Sequence, residues 1–247
     1  MTQNEMILTA LIPVIVIGAF VVHWISIRST RVPGERLVLS RGTYLGLSIQ
    51  LVIFAVVTFY LFKRDNFYFI LIPLGILFSW FGDFFNLQFD CVKKRMTSPI
   101  VGGIISFIVA QVFYILFFLH YAPMTQLIEN GFFYILLSGF LIVPAVIFRF
   151  RVYNPQQPKP VMIWAFVYGF FLGTAAALSI SAAIALGGPW IIVAAGLIIF
   201  LLSDARMGET TLYGRHPVTE YQIPWITYLL AQGLIVYGTL LIMTKSL

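Results

Sequence analysis

Charge is what this sequence has least of. Asp, Glu, Lys and Arg make up 10% of its 247 residues, against 60% hydrophobic; an ordinary soluble domain carries about 25% charged residues. That scarcity excludes a water-facing surface over most of the chain. It points to a polytopic membrane protein with little mass outside the bilayer. Cysteine occurs once, as Cys91, so no internal disulfide is possible and the redox compartment leaves no trace. The three histidines, His23, His120 and His216, stand near the ends of apolar runs or between them. They have no metal-ligand spacing, so no metal site and no cofactor are expected. A Gly-rich phosphate loop, a nucleophile elbow and a His-Glu-x-x-His pattern are all missing. The net charge of +6 does not indicate nucleic acid, because the basic residues sit in short segments between apolar runs. No basic region precedes the first apolar run and no small-residue cleavage site is evident, so that run is expected to stay as a helix.

Apolar runs of bilayer-crossing length, about 20 residues each, fall near 6–27, 43–62, 67–87, 99–121, 131–148, 161–186, 189–205 and 222–244. The expected fold is therefore all-α, a polytopic bundle of eight transmembrane helices in a single domain over 1–247. Gly187-Gly188-Pro189 leaves only a tight turn before the seventh span. The basic residues set the orientation. Arg28, Arg31, Arg36 and Arg41 follow the first span, and Lys93, Lys94 and Arg95 follow the third. Arg149, Arg151 and Lys159 follow the fifth, and Arg206 and Arg215 the seventh. That is twelve of the fifteen basic residues, with Lys63, Arg64 and Lys245 opposite. An even span count, both termini outside and basic loops in the cytoplasm fit this asymmetry. The expected location is a bacterial inner membrane or an equivalent cell membrane.

Within this apolar chain the third span holds a carboxylate, in Leu77-Phe78-Ser79-Trp80-Phe81-Gly82-Asp83-Phe84-Phe85. An ionisable side chain costs roughly 2.5–3.5 kcal/mol at a helix centre on insertion scales, so its presence suggests use. A second carboxylate lies in Leu201-Leu202-Ser203-Asp204-Ala205. The expected topology sends the third and seventh spans in the same direction, so Asp83 and Asp204 reach a similar depth near the basic loops. The eighth span starts on that side, which puts Tyr228 and Gln232 about 9 and 15 Å further in at 1.5 Å per residue. Plainer roles exist for each residue. Asp83 and Asp204 also suit interfacial positions solvated among headgroups, and Ser203-Asp204 suits a helix end. Gln111 and Gln232 also suit interhelical hydrogen bonds. Tyr114 and Tyr228 also suit aromatic packing. Gly102, Gly103, Gly169 and Gly173 suit close helix contacts.

Gly82-Asp83, Ser203-Asp204 and Tyr228-Leu229-Leu230-Ala231-Gln232-Gly233-Leu234-Ile235 together resemble the YhhN family, whose members include lysoplasmalogenases, eight-helix membrane hydrolases. The resemblance covers most of the chain in helix count and motif order. It departs in the fourth span, where Gln111, next to Tyr114, stands where the family usually has His. It implies that Asp83 and Asp204 are a catalytic pair, with Tyr228 and Gln232 as polar lining. Gln111, Tyr114 and Ser203 join them as expected substrate-binding residues. The implied substrate is a lysophospholipid carrying a vinyl ether, taken from the lipid bilayer.

The chemistry suits two carboxyl groups. Vinyl ether hydrolysis needs a proton delivered to the outer alkene carbon, giving an oxocarbenium ion to which water adds. The hemiacetal then collapses to a fatty aldehyde and a glycerophospho-base. An apolar setting and a second carboxylate nearby both favour a neutral acid, and glycosidases divide labour between two carboxyls for a similar cation. Asp83, flanked by Trp80, Phe81, Phe84 and Phe85, is expected to be the acid. Asp204, near Arg206, is expected to be the ionised partner. Lys93, Lys94, Arg95, Arg206 and Arg215 suit attraction of a lipid phosphate. A proton-coupled transporter, an intramembrane aspartyl protease and a non-catalytic lipid-binding protein are the competing classes.

Overall fold

The computed structural model describes residues 41–62, 70–122, 132–214 and 222–245, together with Val21. The first expected span, near 6–27, otherwise lies outside the described residues, as do Arg28, Arg31, Arg36, Lys63, Arg64 and Arg215. Every regular element among the described residues is helical: α1 Arg41–Phe62, α2 Leu71–Asn86, α3 Asp90–Lys93, α4 Pro99–Tyr121, α5 Phe132–Ile147, α6 Lys159–Leu186, α7 Pro189–Gly208 and α8 Gln222–Lys245. In lipid the backbone must satisfy its own hydrogen bonds, and a helix does so within one segment.

Five helices are long and apolar enough to cross a membrane, over Pro99–Tyr121, Phe133–Val152, Lys159–Leu186, Pro189–Tyr213 and Pro224–Met243. Two apolar helices are shorter, Tyr44–Tyr60 and Leu71–Asn86. At 16 residues, α2 is about 24 Å long, less than the ~30 Å hydrocarbon core. So the described residues hold the second to eighth expected spans; α1, at 22 residues, has the length to cross, and α2 falls short of it. The one-turn α3 was not expected, and it contains Lys93.

Start and stop signals are local. Proline occupies the first turn of α4, α6 and α7, where its missing N–H costs nothing. Gly187 and Gly188 both have positive φ, 61° and 54°, so the α6–α7 turn uses backbone conformations that side chains resist. Pro144 interrupts α5, which ends in a π-helical turn at Phe148–Val152. The seventh span also runs past its expected end at 205. It continues helically to Gly208 and then through a π-helical turn to Tyr213.

The helices pack as a closed ring in the order α1, α2, α4, α6, α7, α8 and back to α1, with α5 laid against α6 from outside. Glycines set the closest approaches. A Cβ on Gly173 would lie 2.0 Å from the Phe140 carbonyl oxygen, so α5 meets α6 backbone to backbone there. Gly103 fits against Asn86 and the Gly82 carbonyl, and Gly196 against the Ala231 carbonyl. These contacts let backbones approach as small residues do in membrane bundles. Phe117, Phe118, Leu197 and Phe200 fill the interior, while Ile53, Tyr60, Ile135, Ile142, Ile163, Ile191 and Leu202 are exposed. A chain apolar on both its inner and outer faces is what a membrane environment allows.

Candidate functional site

Asp83 lies one turn before the end of α2 and is 5% exposed. Its seclusion comes from other helices, not from the aromatic residues beside it in sequence. Trp80 stacks on Phe84, Phe84 packs edge-on to Phe85, and Phe81 is exposed. On the inward side, the Tyr228 hydroxyl of α8 donates to Asp83 Oδ2 at 3.1 Å, and Ser48 of α1 stands beside the same group. Gly82 lets the Phe107 ring of α4 press close on α2, where a Cβ would be 2.6 Å from the ring.

Asp204 lies inside α7, one turn before Gly208, and is half-buried. The helical chain continues past it through the π-helical turn to Tyr213. The Tyr168 hydroxyl of α6 donates to Asp204 Oδ2. Each carboxylate thus sits on one helix and accepts from a tyrosine on another. The Phe107 ring stands between the two tyrosines, with centroid distances of 6.0 Å to each.

Both carboxylates line one cavity of about 410 Å³, within the range of small-molecule sites. Its walls are Ile100 and Ile104 of α4, Pro144 and Ile147 of α5, Leu172 of α6, Leu201 of α7, and Tyr44, Trp225 and Tyr228 from α1 and α8. Asn86, Gln88, Thr210 and Thr211 add polar groups to its lining.

Of the other expected binding residues, Tyr228 lines the cavity and the rest do not. Ser203 donates to the Pro224 carbonyl and ties α7 to the start of α8. Tyr114 and Gln232 lie one turn or more deeper, where the Tyr114 hydroxyl donates to Gln232 Oε1 at 2.8 Å. Gln111 is fully buried and its amide has no hydrogen-bond partner among the described residues.

Sequence reasoning missed Tyr168, Ser48 and Phe107. Tyrosine is common near membrane interfaces, so Tyr168 carried no distinguishing signal. It also missed Glu209, which is buried at the end of α7 and accepts from Arg151 at 2.9 Å and Arg206 at 3.0 Å. Asn154 and Gln157 donate to the Leu212 carbonyl, so the segment after α5 is fastened to the end of α7 beside the cavity. Among the described residues, no group of three His, Cys, Asp or Glu side chains could hold a metal ion.

Comparison with curated proteins and with solved structures gives no match. The YhhN family model matches residues 44–239, a stretch that runs from α1 to α8 and contains both carboxylates, and the chain belongs to the YhhN family.

Proposed function

We propose that this protein is a membrane-embedded hydrolase that cleaves the vinyl ether bond of lysoplasmalogens, releasing a fatty aldehyde and a glycerophospho-base. The observation that carries the reading is the pair Asp83 and Asp204, from α2 and α7, on the wall of one largely apolar cavity. Membership of the YhhN family supports it. In this reading the first expected span completes eight crossings, and the basic segments face the cytoplasm.

Asp83, the more secluded of the two, gives its proton to the outer alkene carbon. The ionised Asp204 stabilises the oxocarbenium ion that results, as the second carboxylate of a glycosidase does. Water adds to the carbon bonded to oxygen. The hemiacetal then breaks its bond to the glycerol oxygen, which takes up the hydroxyl proton. The apolar walls accept the hydrocarbon chain, and Lys93, Lys94, Arg95 and Arg206 attract the phosphate from the membrane face they share.

The test is incubation of the purified protein with a lysoplasmalogen and, separately, with its acyl counterpart. Aldehyde from the first and no fatty acid from the second is the expected result. Asp83→Asn and Asp204→Asn each abolish aldehyde release while the protein still unfolds cooperatively. Fatty acid alone would make the protein a lysophospholipase. Neither product, with proton-coupled uptake into proteoliposomes, would make it a transporter, and scission of a helical peptide instead would make it a protease.

A further inference from the structure

The α2–α4 contact has a fixed register. A Cβ on Gly75 would lie 2.3 Å from the Tyr114 ring, and one on Gly82 would lie 2.6 Å from the Phe107 ring. The two glycines are seven residues apart on α2. The two rings are seven apart on α4, in the opposite sense. Ser79 and Gln111 fall midway, so they face each other across the interface. Ser79 is 1% exposed and Gln111 0%.

Four polar atoms in this layer have no hydrogen-bond partner among the described residues: Ser79 Oγ, Gln111 Oε1, Gln111 Nε2 and Gln232 Nε2. Gln232 belongs to the layer because its Oε1 accepts from Tyr114, and Ser79 stands beside the same hydroxyl. Buried polar atoms are almost always paired, with protein or with ordered water. The layer also adjoins the acid. Ser79 is one turn from Asp83 on α2, and Gln232 is one turn from Tyr228, whose hydroxyl bonds Asp83. The large cavity does not extend to Ser79, Gln111 or Gln232. Asp83 therefore stands between an apolar chamber on one side and a small, uncharged polar layer on the other.

We propose that Ser79, Gln111 and Gln232 hold the water consumed in the hydrolysis, on the side of Asp83 remote from the lipid-binding cavity. This rests on the hydrolase reading above. The chemistry of the layer selects water. Amides and a hydroxyl offer donors and acceptors without charge, and a buried water takes about three hydrogen bonds from such groups. The balance is simple. Asp83 gives its proton to the outer alkene carbon and becomes a carboxylate. A water leaving the layer past Asp83 for the cavity bonds through its oxygen to the adjacent inner carbon, and the proton it loses returns to Asp83. The bond to the glycerol oxygen then breaks as the hemiacetal hydroxyl proton moves to that oxygen. No oxidant or reductant is needed, and a lipid chain filling the cavity does not displace the water.

Two measurements test this. In Gln111→Met, which keeps length and removes the amide, and in the smaller change Ser79→Ala, kcat for aldehyde release falls on the order of 100-fold. KM for lysoplasmalogen stays within about twofold, because the cavity wall is untouched. A high-resolution structure of the Asp83→Asn protein shows water bonded to Gln111, a readout independent of turnover. A dry layer in that structure overturns the proposal even if the wild type hydrolyses its substrate, and so does an unchanged kcat in both variants. Ordered water in a protein that releases no aldehyde leaves a hydrated layer but overturns both the hydrolase reading and the role given to that water.

Discussion

Tyr228 and Asp83, 145 residues apart, are joined by a 3.1 Å hydrogen bond between α8 and α2. The ring around that hydroxyl is held independently. It packs against Phe107, Phe200 and Trp225 with centroid distances of 6.0, 5.3 and 6.2 Å. Tyr228→Phe should therefore delete one hydrogen bond and leave the packing intact. The expected stability loss is about 1 kcal/mol, seen as a small shift in thermal unfolding. The expected loss in kcat is about 10- to 100-fold, because the donor of the proton loses the contact that aims it. A variant with full activity would separate Tyr228 from the chemistry.

The two carboxylates stood out in the sequence, and their surroundings did not. Span order and basic-loop asymmetry put Asp83 and Asp204 at a similar depth with Tyr228 further in, and all three line the cavity. Which side of each helix turns inward left no such trace. In water an apolar stripe marks the inner face, but here α1 and α5 carry exposed Ile53, Ile135 and Ile142 as well as inward ones, so no stripe exists to read. The inner faces are marked instead by glycine. Gly75 and Gly82 admit the Tyr114 and Phe107 rings, a pairing that needs both helices in view. Asp83 looked secluded because of Trp80 and Phe84, yet its burial comes from α1, α4 and α8. The length of α7 was underestimated because Arg206 read as loop. Glu209 is in fact buried between two arginines, and the helix runs on.

Tyr168 gives a second deletion of one hydroxyl. It donates to Asp204, and its ring stays packed against Phe107 at 6.0 Å when the hydroxyl is gone. In the proposed reaction Asp204 faces the cation, so Tyr168→Phe should lower kcat by roughly 10-fold with little change in KM. Steady-state kinetics on lysoplasmalogen, with unfolding followed in parallel, checks this. Equal loss of kcat/KM and thermal stability would make Tyr168 a packing residue only.

Glu209 predicts a non-additive pair. Its carboxylate is buried, but the Arg151 and Arg206 side chains are 57% and 40% exposed, so each single bridge is screened. Arg151→Ala should cost less than about 1 kcal/mol. Removing both arginines strips a buried charge of both these partners, a loss that reaches about 3–5 kcal/mol when the site is fully secluded. The double variant should therefore lose clearly more stability than the two single variants combined. Thermal unfolding of all three in one detergent measures the coupling. Simple additivity would mean that Glu209 is solvated despite its burial.

The glycines separate crowding from helix propensity. A Cβ on Gly173 meets the Phe140 carbonyl oxygen at 2.0 Å, and one on Gly82 meets the Phe107 ring at 2.6 Å, while Gly46 and Gly139 have nothing within 4 Å. All four are in helices, where alanine is intrinsically better by up to about 1 kcal/mol. Gly46→Ala and Gly139→Ala should therefore leave the unfolding temperature unchanged or raise it. Gly173→Ala faces backbone that has nowhere to go, and it should lose about 1–3 kcal/mol as α5 is pushed off α6. Gly82→Ala should lose a similar amount and cost more in activity. The displaced Phe107 ring is the one that packs against both Tyr228 and Tyr168, so the crowding is passed to both carboxylates. If Gly82→Ala and Gly173→Ala lose stability equally but only Gly82→Ala loses turnover, the Phe107 contact is what links α2 packing to the site. Equal loss of turnover in both would point instead to a general loosening of the bundle.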